Sequence, residues 1–172
     1  SETYDVNKTL TPEIHSIEKS SLILIDLGNG KNRMGGSSFN AVHHIYEDEV
    51  PDLDDAKLIK SFFEGIQHLN KKNKILAYHD RSDGGLITTI LEMAFAGHCG
   101  IDLNLNKDDG SIKFLFNEEL GAVIQVANND VAEVLNYFNK NLMLLARVVG
   151  APNKDHSINI IKDSKLILTN SR

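Results

Sequence analysis

Apolar and polar positions fall in short alternating blocks whose periods predict strands and helices in turn. Leu22-Ile23-Leu24-Ile25-Asp26-Leu27 is an apolar run suited to a buried strand, and it enters a turn-rich loop, Gly28-Asn29-Gly30-Lys31-Asn32. Gly35-Gly36-Ser37-Ser38 opens a short helix through about Ile45. Asp54 and Asp55 begin a longer one, with Leu58, Ile59, Phe62, Phe63, Ile66 and Leu69 at helical spacing; its acidic start and its Lys71-Lys72 end suit the helix dipole. Lys74–Tyr78 reads as the next strand, His79–Gly85 as a loop, and the residues from Leu86 to a stop at Gly97 as a helix with Leu86, Ile90 and Ala94 on one face.

Ile101–Leu105 is a strand of alternating burial, followed by a polar turn at Lys107-Asp108-Asp109-Gly110. Ala122–Val126 is a further strand. Asp130 can cap a helix carrying Val131, Val134, Leu135 and Phe138. Leu142–Val149 is another strand, and Ile158–Ile161 with Leu166–Leu168 form a closing hairpin across Lys162-Asp163-Ser164-Lys165. The predicted order is β-α-α-β-α-β-β-α-β-β-β. That is an α+β fold, a mixed β-sheet layered with helices, in which the hairpin makes part of the sheet antiparallel.

Composition narrows the functional classes. The chain has 172 residues, three prolines, and no linker or repeat, so residues 1–172 are expected to form one domain. Lys+Arg 18 against Asp+Glu 24 gives a formal charge of −6, with 41% hydrophobic residues and no Trp. Such a chain is globular, and it lacks the basic surface that nucleic-acid binding requires. Its apolar runs fall far short of the ~20 residues of a membrane span. Ser1-Glu2-Thr3-Tyr4-Asp5 does not resemble a signal peptide, and the single Cys99 excludes an internal disulfide, so a cytoplasmic setting is expected.

The densest polar cluster is His79-Asp80-Arg81-Ser82-Asp83-Gly84-Gly85, between a strand end and a helix start. Asp80 offers hard oxygens to Mg²⁺, Ser82 offers a hydroxyl, and Gly84 and Gly85 permit close approach of a backbone or a phosphate at the helix N-terminus. The competing reading is a plain helix cap with glycines for the turn. Gly28–Ser37 matches no phosphate-binding fingerprint and reads as a strand–helix connection. A catalytic cysteine needs a base and an orienting third group in a geometry that adjacent residues such as His98 and Cys99 rarely achieve, so Cys99 reads as a buried structural thiol. Adjacent His43 and His44 point about 100° apart on a helix and do not share a metal easily. Glu118-Glu119 reads as a solvated turn. One good carboxylate without a phosphate cradle makes any site here incomplete.

Four motifs, in order, carry a family resemblance: Leu22–Gly28, Tyr78–Leu86, Glu92-Met93-Ala94-Phe95-Ala96-Gly97-His98-Cys99-Gly100, and Phe116-Asn117-Glu118-Glu119-Leu120-Gly121-Ala122-Val123. From about Thr9 to about Gly150 the chain closely resembles the large single-chain form of phosphoribosylformylglycinamidine synthase, an ATP- and glutamine-dependent enzyme of purine synthesis. The segment resembles its second domain of the type found at the C-terminus of aminoimidazole ribonucleotide synthetase, just ahead of the glutaminase domain.

The resemblance implies that Asp80 is a Mg²⁺ ligand and Ser82 a contact to ATP or ADP, with Arg81, Asp83, Gly84 and Gly85 as supporting loop. It implies that the other ligands and the glutaminase nucleophile lie in other domains, that no catalytic residue lies here, and that the fragment is inactive alone. The family has two related nucleotide sites, and the Asp80 loop resembles the part that faces the auxiliary one, which implies a structural nucleotide rather than one turned over. The expected partners are the remaining domains of the same polypeptide, with self-association of an exposed apolar face as a further outcome. Two alternatives stand beside this reading: another ATP-using enzyme of the same superfamily, such as selenophosphate synthetase, and a non-catalytic scaffold that binds no ligand.

Overall fold

A computed structural model describes residues 6–171 apart from the Asn7 side chain; the Ser1–Asp5 stretch read above lies outside the described residues. The elements are β1 (Ser20–Asp26), α1 (Ser38–His43), α2 (Ala56–Lys71), β2 (Ala77–Asp80), α3 (Gly85–Ala96), β3 (Gly100–Leu105), α4 (Ser111–Phe116), β4 (Gly121–Ala127), α5 (Val131–Asn136), β5 (Leu145–Asn153), β6 (Ser157–Lys162) and β7 (Lys165–Ser171). The strands form one sheet in the order β2-β4-β1-β5-β3-β6-β7. All neighbours are antiparallel except β3 and β6, which run parallel. The expected α+β class and mixed sheet are what the structure has.

β1 lies at the centre of the core. Its alternating side chains split between two clusters: Leu22 and Leu24 join Leu86, Ile90 and Met93 of α3, while Ile23 and Ile25 join Ile66 and Leu69 of α2 and Phe138 beyond α5. A strand covered on both faces must be apolar at every position rather than at every second one, which is why its sequence reads as an unbroken run. Two-sided cover gives way toward β7, where every residue is exposed. The closing hairpin turns at Asp163 and Ser164, both left-handed (φ 51° and 60°), the geometry of a two-residue turn whose twist matches its strands.

Several boundaries differ from the expectation. Residues 111–116, to which the pattern assigned no element, form α4, which buries Phe114 and Leu115. His79 and Asp80 belong to strand β2 rather than to the loop, because both pair with β4. The strand expected at Leu142–Val149 begins at Leu145 and runs to Asn153. Ile59 and Phe63 of α2 stay exposed, so its buried stripe is narrower than the spacing suggested. Asp130 does not cap α5; its carboxylate takes the Lys74 ammonium at 2.6 Å, the stronger charge-assisted partner.

Candidate functional site

Asp26 at the end of β1 stands opposite Gly121, and Asp80 at the end of β2 stands opposite Ala122, so both acids flank the start of β4. Three connections meet there: the loop 27–37, the turn 81–84 and the segment 117–120. β2 is an edge strand, which leaves the Asp80 side exposed to solvent. The Tyr78 hydroxyl donates to Asp80 Oδ1. Burial first, and then that hydrogen bond, push the Tyr78 pKa above its ordinary value. On the other face of β2, His79 Nε2 lies 2.7 Å from Glu92 Oε2 of α3.

Beyond Asp80 the chain alternates outward and inward. Asp80, Ser82 and Asp83 are exposed, whereas Arg81 is only 4% exposed and points into the protein. Its Nε donates to the Glu119 carbonyl at 2.5 Å, and its Nη2 donates to the Leu120 carbonyl at 3.1 Å and to Asp26 Oδ1. Asp26 also accepts the amides of Gly28 (3.1 Å) and Gly30 (2.7 Å). A carboxylate buried at a strand end must find donors, and the turn immediately after it supplies two.

The expected solvated turn at Glu118-Glu119 is overturned. Glu119 is fully buried and receives Arg33 in a bidentate pair, Nε to Oε1 at 2.6 Å and Nη2 to Oε2 at 2.7 Å. These bonds push the Arg33 pKa upward, against the effect of burial. A Cβ on Gly28 would lie 2.5 Å from the same carboxylate, so only glycine lets the loop cross it. Glu118 Oε1 accepts the amide of Ser38 at the start of α1 and that of Gly84 ahead of α3, both at 2.8 Å. Thus Gly28–Ser37 is a strand–helix connection in which the chain's own carboxylates accept the amides of Gly28, Gly30 and Arg33.

Gly84 and Gly85 do adopt left-handed backbone (φ 83° and 74°). What approaches Gly85 is the chain itself: an added Cβ would meet the Asn117 carbonyl at 2.6 Å. Ser82 and Gly84 are accessible, but the Gly84 amide is already engaged by Glu118. The residues named from the sequence therefore separate into three exposed ones, Asp80, Ser82 and Asp83, and the buried or internally bonded Arg81, Gly84 and Gly85 that hold their turn. Asp26, Arg33 and Glu119 were missed as part of that support. An acid closing an apolar strand, two residues before a Gly-x-Gly, was the one available signal.

No group of three or more His, Cys, Asp or Glu among the described residues can hold a metal ion. Mg²⁺ bound with a nucleotide needs only one or two protein carboxylates beside phosphate oxygens and water, and an exposed Asp80 fits that partial role. Cys99 is buried in the cluster around α3, as expected of a structural thiol. His43 packs against Phe39 with the rings tilted by 44° and 4.5 Å between centroids. A cavity of about 410 Å³ lies nearby, bordered by Asp26, Gly30, Asn32, Asp109 and Arg147, with Arg147 over the Phe114 ring.

The profile of one family, described as "AIR synthase related protein, C-terminal domain", matches residues 20–163. The chain belongs to that family. Among solved structures, this AIR-synthase-related domain is similar to T. maritima PurL complexed with ATP, with a TM-score of 0.77 and 11% identity over 96% of this chain and 27% of that one. It is similar too to phosphoribosylformylglycinamidine synthase II from Thermotoga maritima (TM-score 0.76, 10% identity, 96% and 27%). E. coli HypE, a hydrogenase maturation protein, shares the fold more distantly (TM-score 0.60, 16% identity, 95% and 51%). At such identities the likeness is one of fold, and the domain spans 27% of the length of the PurL chain that carries ATP.

Proposed function

We propose that this domain is part of a phosphoribosylformylglycinamidine synthase, the enzyme that converts formylglycinamide ribonucleotide, with ATP and glutamine, to formylglycinamidine ribonucleotide. Within it, Asp80 gives a carboxylate oxygen to Mg²⁺ and Ser82 a hydroxyl to ATP or ADP, at a site completed by other domains of the same polypeptide. Arg81, Asp83, Gly84 and Gly85 shape the turn between strand and helix. The bound nucleotide is structural or turned over depending on which of the enzyme's two nucleotide sites the turn faces. When bound, Mg²⁺ neutralises phosphate charge; this chain's own part is to hold one ligand oxygen and one hydroxyl in place. The ammonia-generating glutaminase and the chemistry of amide activation belong elsewhere, so the isolated domain is inactive, and the setting is cytoplasmic.

The observation carrying this reading is the outward placement of Asp80 and Ser82 on a turn whose intervening Arg81 is fixed in the interior. Rigid support beneath two exposed oxygen donors is what a shared ligand site requires. The solved PurL structure with ATP supports the nucleotide part of the reading.

A scaffold with no ligand is favoured by one observation: Glu118 already satisfies the Gly84 amide ahead of α3. Asp80→Ala and Ser82→Ala in the full-length polypeptide separate the two. Under the nucleotide reading both variants lose Mg-nucleotide retention, by roughly 10-fold or more for the metal ligand. Retention equal to wild type in both leaves the scaffold. Exposed Val42 and Tyr46 (75% and 96%) near α1 suit contact with the missing domains, or self-association of the fragment, which gel filtration over a concentration series would register.

A further inference from the structure

We infer that Asp26 and Arg81 form an internal strut that sets the position of the Asp80–Ser82 turn and ties it to the loop 27–37, making Asp26 a positioning residue for the site. This deepens the function proposed above and rests on it. Arg81 is the residue between the two exposed donors, so wherever its guanidinium is fixed, the backbone carrying Asp80 and Ser82 is fixed too. That guanidinium is held by three acceptors from two segments: the Glu119 and Leu120 carbonyls ahead of β4, and the Asp26 carboxylate at the end of β1. The Arg81 amide also donates to the Gly121 carbonyl at 2.9 Å, anchoring the same residue a second way.

The arrangement is costly. Arg81 Nη1 is the one buried side-chain polar atom among the described residues without a hydrogen-bond partner. A buried ion pair with an unsatisfied donor is worse for stability than well-packed apolar side chains of similar size. What arginine supplies instead is reach and direction, since its planar fork meets three acceptors at once. Departures from optimal packing concentrate where a protein holds a functional group in place, and here the departure lies between the two proposed donors.

From Asp26 the connection continues. Its second oxygen takes the Gly30 amide and its first shares Arg81 with the Gly28 amide, so the loop 27–37 is referred to the same carboxylate. A disturbance of Arg81 should therefore be felt at Gly28 and Gly30, and a disturbance of Asp26 at Ser82–Gly85.

The test uses Arg81→Lys, which keeps the charge but cannot reproduce the fork, and Asp26→Asn, which keeps the shape but turns an acceptor into a donor facing one of its amide or guanidinium partners. In the 172-residue chain, hydrogen exchange is followed residue by residue. Either variant should speed exchange in both connections, 27–31 and 82–85, while the amides of β1 and β5 keep their wild-type protection. In the full-length polypeptide the same variants should weaken Mg-ADP retention by about 10-fold, the usual effect of removing a group that orients a metal ligand.

A purely structural role would instead speed exchange throughout the sheet by global unfolding. Uniform acceleration overturns the proposal, as does wild-type retention in both variants while Asp80→Ala loses it. If Asp80→Ala itself retains Mg-ADP normally, the nucleotide reading falls and this proposal with it. Asp26→Asn carries the test should Arg81→Lys not fold.

Discussion

β1 and β7 are each seven residues long and each built around a Leu-Ile-Leu sequence, yet one is almost wholly buried and the other wholly exposed. The difference lies in what covers them. β1 pairs on both edges, with β4 and β5, and has helices on both faces, whereas β7 pairs only with β6. Local composition thus states that a segment can be a strand, and the number of layers around it decides what the strand is worth. The end of β1 also carries Asp26, and the loops of the candidate site converge there.

The broadest test of the contrast replaces equivalent apolar side chains. Ile25→Ala should cost roughly 2–5 kcal/mol by urea unfolding, because it opens a cavity in a two-sided core. Leu168→Ala, at a residue 50% exposed, should cost less than about 1 kcal/mol. Equal losses would mean that β7 is covered in solution, and the contrast would fail.

Next in size is Glu119→Ala, which removes the buried partner of Arg33 at the β1 end. We expect a loss of about 3 kcal/mol, near the low end for breaking a buried pair, since Arg33 keeps Asp54 and the Asp52 carbonyl. A loss under about 1 kcal/mol in the same unfolding assay would rank the pair with ordinary surface bridges. Smaller still, Asp55→Ala removes the side chain that accepts the Lys57 amide at the start of α2, the helix covering one face of β1. It should lower stability by about 1 kcal/mol, visible as an earlier thermal midpoint.

The smallest effect concerns pH. The Lys31 hydrogen bond holds the Asp54 carboxyl below its ordinary pKa of 3.8, against a weaker contribution from desolvation. A depressed folded-state pKa adds stability that is present above the unfolded value and is lost as pH falls through the folded one. Lys31→Gln should therefore move the Asp54 carboxyl titration, followed by NMR, back toward 3.8. Added salt should mimic this in part, because the pair is exposed. A titration curve insensitive to Lys31→Gln would remove this tie from the loop.

Much of this architecture was legible from the chain. The central strand, α2, α3 and the closing hairpin all announce themselves through periodicity and turn residues. α4 did not, because Ser111–Phe116 is a single short helix whose Phe114-Leu115 pair shows no period. The Tyr78–Leu86 motif marked the candidate site, and the alternation of a β-strand end could have suggested that Arg81 turns inward. Nothing local could show that Glu119 is buried: its partner, Arg33, lies 86 residues away. Asp130 erred the other way, since its position suited a cap and a lysine just ahead of β2, Lys74, took it.

By itself, the sequence determined most element types, though not α4, together with the antiparallel hairpin and the family, because these follow from patterns within a few turns of chain or from whole motifs in order. Only the tertiary structure decided the strand order, the parallel pairing of β3 with β6, and which carboxylates face solvent. Those outcomes depend on contacts between distant segments, where a charge keeps its water or gives it up according to what the fold places opposite it. Asp80 and Asp26 are both acids at strand ends; the edge of the sheet leaves one open, and its centre makes the other a strut.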